Sequence, residues 1–249
     1  AGPNHHEGDN GALIVVLDIT VQVENERQRR RFTDNVTHEL KTPLTSILGY
    51  SQLITTGIAR KEDINSFAAI IESNASLLLG MIDDIIRISN LETGDSFMPV
   101  MLSLDEIVTE VVQQEKMLAE RQDITVVCNL EETEIVADEG QMYQLVHNLV
   151  SNAVKYNRPG GRVDIELLKK GDKIMFKVAD TGIGIPPEHL DKIFERFYVV
   201  DKSRNKKISS SGLGLSIVKH IVKAHDGQIT VKSAEGKGTE FTVIFPKNA

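Results

Sequence analysis

The sequence predicts an α+β protein in which a long helical hairpin precedes a domain of mixed helices and strands. Apolar residues recur at steps of three and four between about residues 20 and 92, and no strand-like run interrupts them. After a polar linker at 93–96, β-branched runs alternate with helical segments. The 249 residues are 41% hydrophobic and 26% charged, which is the balance of one or two globular domains rather than of a disordered or fibrous chain.

The composition excludes several classes of function. The formal net charge of −8 gives no electrostatic help in binding nucleic acid, so no nucleic-acid partner is expected. The single cysteine, Cys128, cannot form an internal disulfide or a cysteine-cluster metal site, which favours a reducing compartment. No apolar run approaches the ~20 residues that a membrane-spanning helix needs. We therefore expect a cytoplasmic fragment that does not enter the membrane.

Residues 1–20 are predicted to be a tail outside the hairpin. The aliphatic run at 12–19 follows a stretch rich in Gly, Asn and Asp, and no partner strand lies nearby in the sequence. Such a run is typical of a short strand left from an upstream domain. The alternative is a disordered tail.

Residues 21–95 are predicted to form the hairpin, with a first helix from about 22 to 57 and a second from about 63 to 91. A glycine and a polar stretch between them predict the turn. The apolar face of the second helix is too wide for one partner helix, and two helices alone make a poor core. Both facts favour a homodimer in which two hairpins form a four-helix bundle.

The first helix carries a histidine that is predicted to face solvent. Val36 and Leu40 belong to the inward stripe, and His38 lies two residues from each, about 160–200° away around the helix. Taken alone, His38 is most simply a surface residue. Glu39, however, can hold one ring N–H and leave the other nitrogen as a nucleophile. Pro43 removes the N–H that would bond the Glu39 carbonyl, which predicts a kinked but continuous helix; a helix break is the alternative.

Residues 96–249 are predicted to form one α+β domain around a single mixed sheet. Its helices are predicted at about 103–121, 139–156, 187–195 and 213–225. Its strands are predicted at about 124–130, 163–168, 174–180, 228–233 and 239–245.

One helix of this domain carries polar residues at helical spacing. Asn148 and Asn152 are four residues apart and share a face with Lys155 and Tyr156. Asparagine is a poor residue for the middle of a helix, so two on one face suggest oxygen ligands for a hard cation. The alternative is the ordinary polarity of a helix surface.

Glycine pairs mark three further points of the domain. Asp180 ends a predicted strand just before Gly182 and Gly184, where it can accept a hydrogen bond from an exocyclic amine. Gly212 and Gly214 open a helix whose free N–H groups would face an anion such as phosphate. A third pair precedes the last strand. Each pair alone can be a simple turn, and the usual mononucleotide and protein-kinase glycine motifs do not occur in the sequence.

Six motifs, in their order along the chain, resemble those of the sensor histidine kinases of bacterial two-component systems. They are the histidine box at 38–44, the asparagine box at 148–156, the first glycine box at 180–185, the phenylalanine box at 194–198, and the second and third glycine boxes at 212–215 and 236–239. The resemblance covers nearly the whole chain beyond residue 20.

The resemblance implies the cytoplasmic kinase core of such a sensor. Residues 21–95 would be the dimerisation and histidine-phosphotransfer domain, and residues 96–249 a catalytic ATP-binding α/β sandwich of the GHKL (Bergerat) type. Residues 1–20 would include the remnant of a PAS-like sensor domain. The implied reaction is ATP-dependent autophosphorylation on His38 and phosphotransfer to an Asp in the receiver domain of a response regulator. The full-length parent is expected to be a bacterial inner-membrane sensor.

The resemblance also implies roles for individual residues. His38 would be phosphorylated, Glu39 would activate it, and Thr42 would place water for dephosphorylation of the regulator. Asn148 and Asn152 would bind Mg²⁺ beside ATP. The implied nucleotide-binding residues are Asn148, Asn152, Lys155, Tyr156, Asp180, Gly182, Gly184, Ile185, Arg196, Lys202, Arg204, Gly212, Leu213, Gly214, Leu215 and Thr239.

Two positions bear on the alternatives. Asn148 stands where the related ATPases carry Glu, so attack by water on ATP is expected to be slow. Val199 stands where many members of the family carry Arg, and the cations expected to substitute are Arg196, Lys202, Arg204 and Lys206. The alternatives are an ATP hydrolase of the Hsp90/MutL type and a regulator-binding scaffold without kinase activity. Phosphatase activity on the regulator is expected alongside kinase activity.

Overall fold

The computed structural model describes residues 20–93, 97–200 and 211–247. The strand predicted at 12–19 and the predicted cations Lys202, Arg204 and Lys206 lie outside these residues. The chain divides into two units, one that ends at His38 and one that begins at Glu39.

Two long helices open the described chain. α1 spans Thr20–Thr55 and α2 spans Ile64–Thr93, so both predicted hairpin helices are present. α1 runs through Pro43, which confirms a continuous helix rather than a break. Tyr50 packs against Phe67 with ring centroids 5.0 Å apart, which joins the two helices near their turn. None of the described helices is both long enough and apolar enough to cross a membrane.

Strands and helices alternate in the rest of the described chain. The strands are β1 (Pro99–Ser103), β2 (Thr125–Leu130), β3 (Glu134–Asp138), β4 (Arg162–Lys170), β5 (Lys173–Asp180), β6 (Gln228–Ala234) and β7 (Gly238–Pro246). The helices are α3 (Leu104–Arg121), α4 (Glu139–Lys155) and α5 (Gly214–Ala224), with a short 3₁₀ turn at Pro187–His189. The predicted helical hairpin followed by an α/β domain is therefore confirmed.

The main sheet has five strands in the order β2-β4-β5-β7-β6. β2 pairs with β4 in parallel, and the other neighbours are antiparallel. Residues along β4 and β5 alternate between buried and half-buried, as expected when helices cover one face of a sheet. The cover comes from α3, α4 and α5, which bury apolar residues such as Val108, Leu149 and Ile217. α4 contacts both β5 and α5, which brings the asparagine box towards the strand that ends at Asp180.

The prediction of a single sheet is wrong. β1 and β3 pair antiparallel in a small sheet of their own, from Pro99 opposite Asp138 to Ser103 opposite Glu134. The first three residues of β1 are all exposed. Its sequence therefore lacks the apolar–polar alternation that marks a half-buried strand.

The predicted helix at 187–195 is also wrong. Within this range only Pro187–His189 is helical, and turns follow it. The Nδ1 of His189 lies 2.6 Å from the hydroxyl of Tyr198, whereas nine residues of α-helix would separate these positions by about 13 Å. The apolar spacing that predicts a helix instead buries Ile193 and Phe197 in a folded-back loop.

Candidate functional site

A cavity of about 590 Å³ lies where α4 and the start of α5 meet the ends of β5 and β7, and α2 forms one side of it. Most of the predicted nucleotide-binding residues line this cavity. They are Asn148, Asn152, Lys155, Tyr156, Asp180, Gly184, Ile185, Gly212, Gly214, Leu215 and Thr239. The fold thus brings the asparagine box and residues of all three glycine boxes to one place.

The amide of Asn148 is held from two sides. Its Nδ2 donates to the Gly214 carbonyl at 3.2 Å, and its Oδ1 accepts from Gln144 Nε2 at 3.2 Å. A carbonyl oxygen has two lone pairs, so Oδ1 can also coordinate a cation. Asn152 lines the same cavity one turn further along α4. Two amide oxygens beside a phosphate site fit Mg²⁺, which takes its remaining ligands from phosphate and water.

Lys155 gives this wall of the cavity a positive charge. Burial lowers the pKa of its ammonium group, and the nearby Glu115 partly opposes that shift. Its Nζ lies 6.0 Å from the centroid of the Tyr156 ring. An anionic ligand would offset the cost of burying this cation, which suits Lys155 to a phosphate group.

Asp180 ends β5 and lines the same cavity. Its Oδ1 accepts hydrogen bonds from the backbone N–H groups of Gly182 at 2.8 Å and Thr239 at 3.3 Å. Burial raises the pKa of this carboxyl group to about 6, although both hydrogen bonds act in the opposite direction. The carboxylate is therefore fixed in orientation by its Oδ1, and its Oδ2 is the oxygen that suits an amino group of a ligand.

The first glycine box is joined to the end of α4. The N–H of Ile183 donates to the Tyr156 carbonyl at 3.1 Å. Gly182 permits this approach, because a Cβ at that position would collide with the same carbonyl. Ser233 closes the other side: its Oγ accepts from the Ile185 N–H and donates to the Gly238 carbonyl, both at 2.8 Å. Ser233 was outside the sequence prediction, since only the folded sheet brings β6 to these loops.

The phenylalanine box is joined to the second glycine box. The N–H of Phe197 donates to the Gly212 carbonyl at 2.9 Å. Gly212 has φ +68°, and a Cβ there would lie 2.7 Å from the Phe197 carbonyl carbon. Any larger residue would be strained at this position and would push the two boxes apart.

The predicted phosphoacceptor segment lies on α1. His38 is exposed, as its spacing from the apolar stripe predicts, and Glu39 is half-buried. Thr42 is exposed one turn further along the helix. An exposed imidazole with an adjacent carboxylate is accessible to a phosphoryl donor.

Two family models match the two parts of the chain. The His Kinase A (phospho-acceptor) domain matches residues 28–94, and the histidine kinase-, DNA gyrase B- and HSP90-like ATPase matches residues 137–249. The chain belongs to the sensor histidine kinases.

Individual histidine kinases are similar to it over most of its length. Sensor protein kinase WalK of Staphylococcus epidermidis is 34% identical over 242 residues, which are 95% of this chain and 39% of that protein. The chain thus spans about two fifths of the curated relatives that it matches first. The structure of histidine kinase ThkA in complex with response regulator protein TrrA has a TM-score of 0.71 at 24% identity, over 94% of this chain and 68% of that one. Full-length ShkA in complex with AMPPNP has a TM-score of 0.61 at 28% identity, over 89% of this chain and 45% of that one.

Some predicted nucleotide-binding residues do not line the cavity. Gly182 and Leu213 shape its loops without lining it, and Leu213 is fully buried. Arg196 approaches His220 instead, with Nη2 3.3 Å from the histidine Nε2. Val199 does line the cavity, at the position where many histidine kinases carry Arg.

Helix α2 supplies cavity-lining residues that lie outside the prediction. Asp84 is one of them, and its Oδ2 accepts from the Ser211 hydroxyl at 2.9 Å. The Ser211 Oγ in turn accepts from the N–H of Leu213, a residue of the second glycine box, at 3.2 Å. Burial raises the pKa of the Asp84 carboxyl group, and the Ser211 hydrogen bond opposes that shift. The sequence shows no signal for this contact, because Asp84 fits an ordinary helix surface.

Proposed function

We propose that this chain is an ATP-dependent protein histidine kinase that phosphorylates His38 and passes the phosphoryl group to an aspartate of a response regulator. The observation that carries the proposal is the convergence of Asn148, Asn152, Lys155 and Asp180 on one cavity beside the glycine boxes. Membership of the sensor histidine kinases supports the reaction, and the AMPPNP complex of ShkA supports an ATP-like ligand.

The cavity has complementary walls for the two ends of ATP. Asp180 accepts a hydrogen bond from the amino group of adenine, and Ile185 provides an apolar contact for the base. Lys155 and the N–H groups at the start of α5 offset the charge of the phosphates. Asn148 and Asn152 would hold Mg²⁺, which would neutralise phosphate charge and align the reacting groups.

His38 supplies the nucleophile. A neutral ring nitrogen attacks the γ-phosphorus, so an N–P bond forms while the bond from that phosphorus to the bridging oxygen breaks and ADP leaves. Glu39 accepts a hydrogen bond from the N–H of the other ring nitrogen and stabilises the positive charge that develops on the ring. Asn148 is an amide and a very weak base, so it does not activate water to compete with His38.

The hairpin is proposed to act as a homodimer. Large apolar residues are exposed along its two helices, including Leu44, Leu48, Leu79, Ile82 and Ile86. A second copy of the hairpin would cover them in a four-helix bundle. Residues 21–95 would then form the dimerisation and phosphotransfer domain, and residues 96–249 the catalytic domain.

Autophosphorylation with γ-labelled ATP and Mg²⁺ tests the proposal. We expect label on the wild type and none on His38→Ala, because the variant lacks the nucleophile. Thr37→Ala is the matched control, since Thr37 is the exposed neighbour of His38 on the same helix and should leave labelling intact. The label should be lost in acid and retained in base, as expected of a phosphoramidate.

The other outcomes separate the alternatives. Release of ADP without label on the protein would contradict the kinase and favour an ATP hydrolase. Binding of ATP without label or ADP release would favour a scaffold. Label that persists in His38→Ala would place the phosphoacceptor elsewhere.

Thr42 is proposed to support dephosphorylation of the regulator. Its exposed hydroxyl lies one helical turn from His38, where it can orient water towards a phospho-aspartate docked on α1. We expect Thr42→Ala to label like the wild type but to lose at least tenfold in the rate of phosphate release from a phosphorylated regulator. Thr42→Ser should retain that rate. An unchanged rate in Thr42→Ala would contradict this role.

A further inference from the structure

A buried histidine follows α5 at the end remote from the nucleotide cavity. His225 is only 2% exposed. Its ring lies edge-on to those of Phe97 and Phe245, with centroids 5.1 Å and 6.1 Å away. Burial lowers the pKa of the imidazole, against the opposing effects of its hydrogen bond to the Ile221 carbonyl and of Asp138 and Asp226. Burial therefore favours the neutral form of the ring.

The hydrogen bonds of His225 define its tautomer. The backbone N–H of Asp138 donates to Nε2 at 3.2 Å, so Nε2 must carry the lone pair. Nδ1 then carries the proton and donates to the Ile221 carbonyl at 2.8 Å. Both ring nitrogens thus form hydrogen bonds. Nδ1 bonds to a residue of α5, and Nε2 bonds to Asp138, which lies 87 positions earlier in the chain.

The acceptor bond reaches the start of α4. Asp138 is the N-cap of that helix, and its Oδ1 accepts from the Gln141 N–H at 2.9 Å. Its Oδ2 accepts from the Met98 N–H at 3.0 Å, next to β1. His225 therefore fixes the end of α5 to a residue that is itself tied to α4 and to the small sheet.

The same two helices are tied a second time at the cavity. Asn148 Nδ2 of α4 donates to the Gly214 carbonyl at the first residue of α5. The two ties lie at opposite ends of α5, about 16 Å apart along its axis. Together they define how far α5 can slide along α4, and a slide of 1 Å would displace the second glycine box from the asparagine box by the same amount.

We propose that His225 is a positioning residue for the nucleotide site, which holds α5 in register with α4 so that Gly214 and Asn148 meet correctly at the phosphates. The inference rests on the proposed binding of ATP in this cavity. It assigns His225 no contact with ATP, because the residue lies at the far end of the helix.

Two substitutions separate the tie to α4 from the bond within α5. His225→Gln places Oε1 as many bonds from Cβ as Nε2 and can accept from the Asp138 N–H. His225→Asn can still donate to Ile221 but is too short to reach Asp138. We expect the Kd for Mg-ATP, measured by calorimetry on folded protein, to rise at least tenfold in His225→Asn and to stay within threefold of the wild type in His225→Gln.

Leu167→Ala controls for a general loss of stability. Leu167 is fully buried in β4 and does not line the cavity, so its truncation should lower the unfolding temperature without changing the Kd. A long-range ¹H–¹⁵N spectrum of the wild type should show His225 protonated on Nδ1.

Each remaining outcome contradicts the inference. Unchanged Kd in His225→Asn, or equal losses in His225→Asn and His225→Gln, would show that the tie to Asp138 does not position the site. A parallel loss in Leu167→Ala would reduce the role to stability, and a proton on Nε2 would remove the tie itself. A wild type that binds no ATP would overturn the proposed function as well, which distinguishes the two failures.

Discussion

Folding and ligand binding place opposite demands on Asp180. Burial raises its pKa to about 6, so at pH 7 the folded protein holds a carboxylate whose ionised form is disfavoured. We expect Asp180→Asn to raise the free energy of unfolding of the nucleotide-free protein by about 1–2 kcal/mol, since it removes that charge but keeps an oxygen for Gly182 and Thr239. ATP affinity should fall at least tenfold in the same variant. Thermal denaturation and calorimetric titration measure the two effects, and a variant that is less stable than the wild type would contradict the first.

The same carboxyl group predicts a pH dependence. Its folded pKa of about 6 lies above the ordinary value of 3.8, so the folded state binds more protons than the unfolded state between these values. The contribution of Asp180 to stability therefore increases as the pH falls from about 6 to 3.8. Protonation also weakens the hydrogen bond that the carboxylate would accept from the amino group of adenine. We therefore expect ATP affinity to fall about tenfold per pH unit below 6. Titrations between pH 7.5 and 5 test this, and the residual affinity of Asp180→Asn should be nearly constant there.

Some residues of the site could be predicted from the sequence, and others could not. Asn148, Asn152 and Asp180 lie at spacings that a helix or a strand end makes meaningful, so their convergence on one cavity could be expected. Ser233 and His225 act through contacts between elements far apart in the chain, and neither stands in a pattern that separates it from an ordinary strand or helix end. Their positions follow only from the fold.

At the scale of elements, the contact of α2 with the second glycine box predicts competition with phosphate. Asp84 presents a carboxylate to the cavity beside Ser211, where the charge of ATP would repel it. We expect Asp84→Asn to tighten ATP binding by roughly 1 kcal/mol, or about fivefold, because it keeps the acceptor for Ser211 and removes the charge. Asp83→Asn is the matched control, since Asp83 is the exposed neighbour and does not line the cavity. Equal affinities in wild type and Asp84→Asn would argue against this repulsion.

Helices and strands could be predicted from the sequence where the spacing of apolar residues repeats over several turns or where the element is buried. α1 and α2 agree with prediction to within two residues, because several turns of apolar spacing identify a helix clearly. β1 has only five residues and exposes three in succession, so its sequence shows no alternation of apolar and polar residues. The segment after Pro187 has helical spacing, but the contact of His189 with Tyr198 bends it back, and such a contact is invisible in a local pattern.

At the scale of the whole molecule, the exposed apolar face of the hairpin predicts a dimer that a single charge weakens. The Leu48 residue is 54% exposed, and a two-fold bundle would bury it in both copies. We expect Leu48→Glu to raise the dimer dissociation constant about 100-fold or more, because each copy loses apolar burial and buries a carboxylate. Sedimentation velocity over a range of concentrations measures it. Met117→Glu on α3 is the control, since Met117 is 63% exposed but lies outside the hairpin; equal effects of both would contradict the assigned interface.

The division into a hairpin and an α/β domain could be read from the sequence because the change in period at the linker is sharp. The side of the cavity formed by α2 could not, since it depends on how α2 packs against α5. Residue spacing reports which face of a helix is apolar, but it does not report which partner covers that face.

The exposed thiol on β2 has a practical consequence. Cys128 is the one cysteine of the sequence and lies on an edge strand of the main sheet. A maleimide spin label or fluorophore would therefore attach at one known point per chain without any substitution, at a residue that does not line the nucleotide cavity. Burial of part of the residue raises the pKa of the thiol, so labelling will proceed faster at pH 8.5 than at pH 7. In a two-fold assembly, the pair of labels would report the distance between the two α/β domains as nucleotide is added.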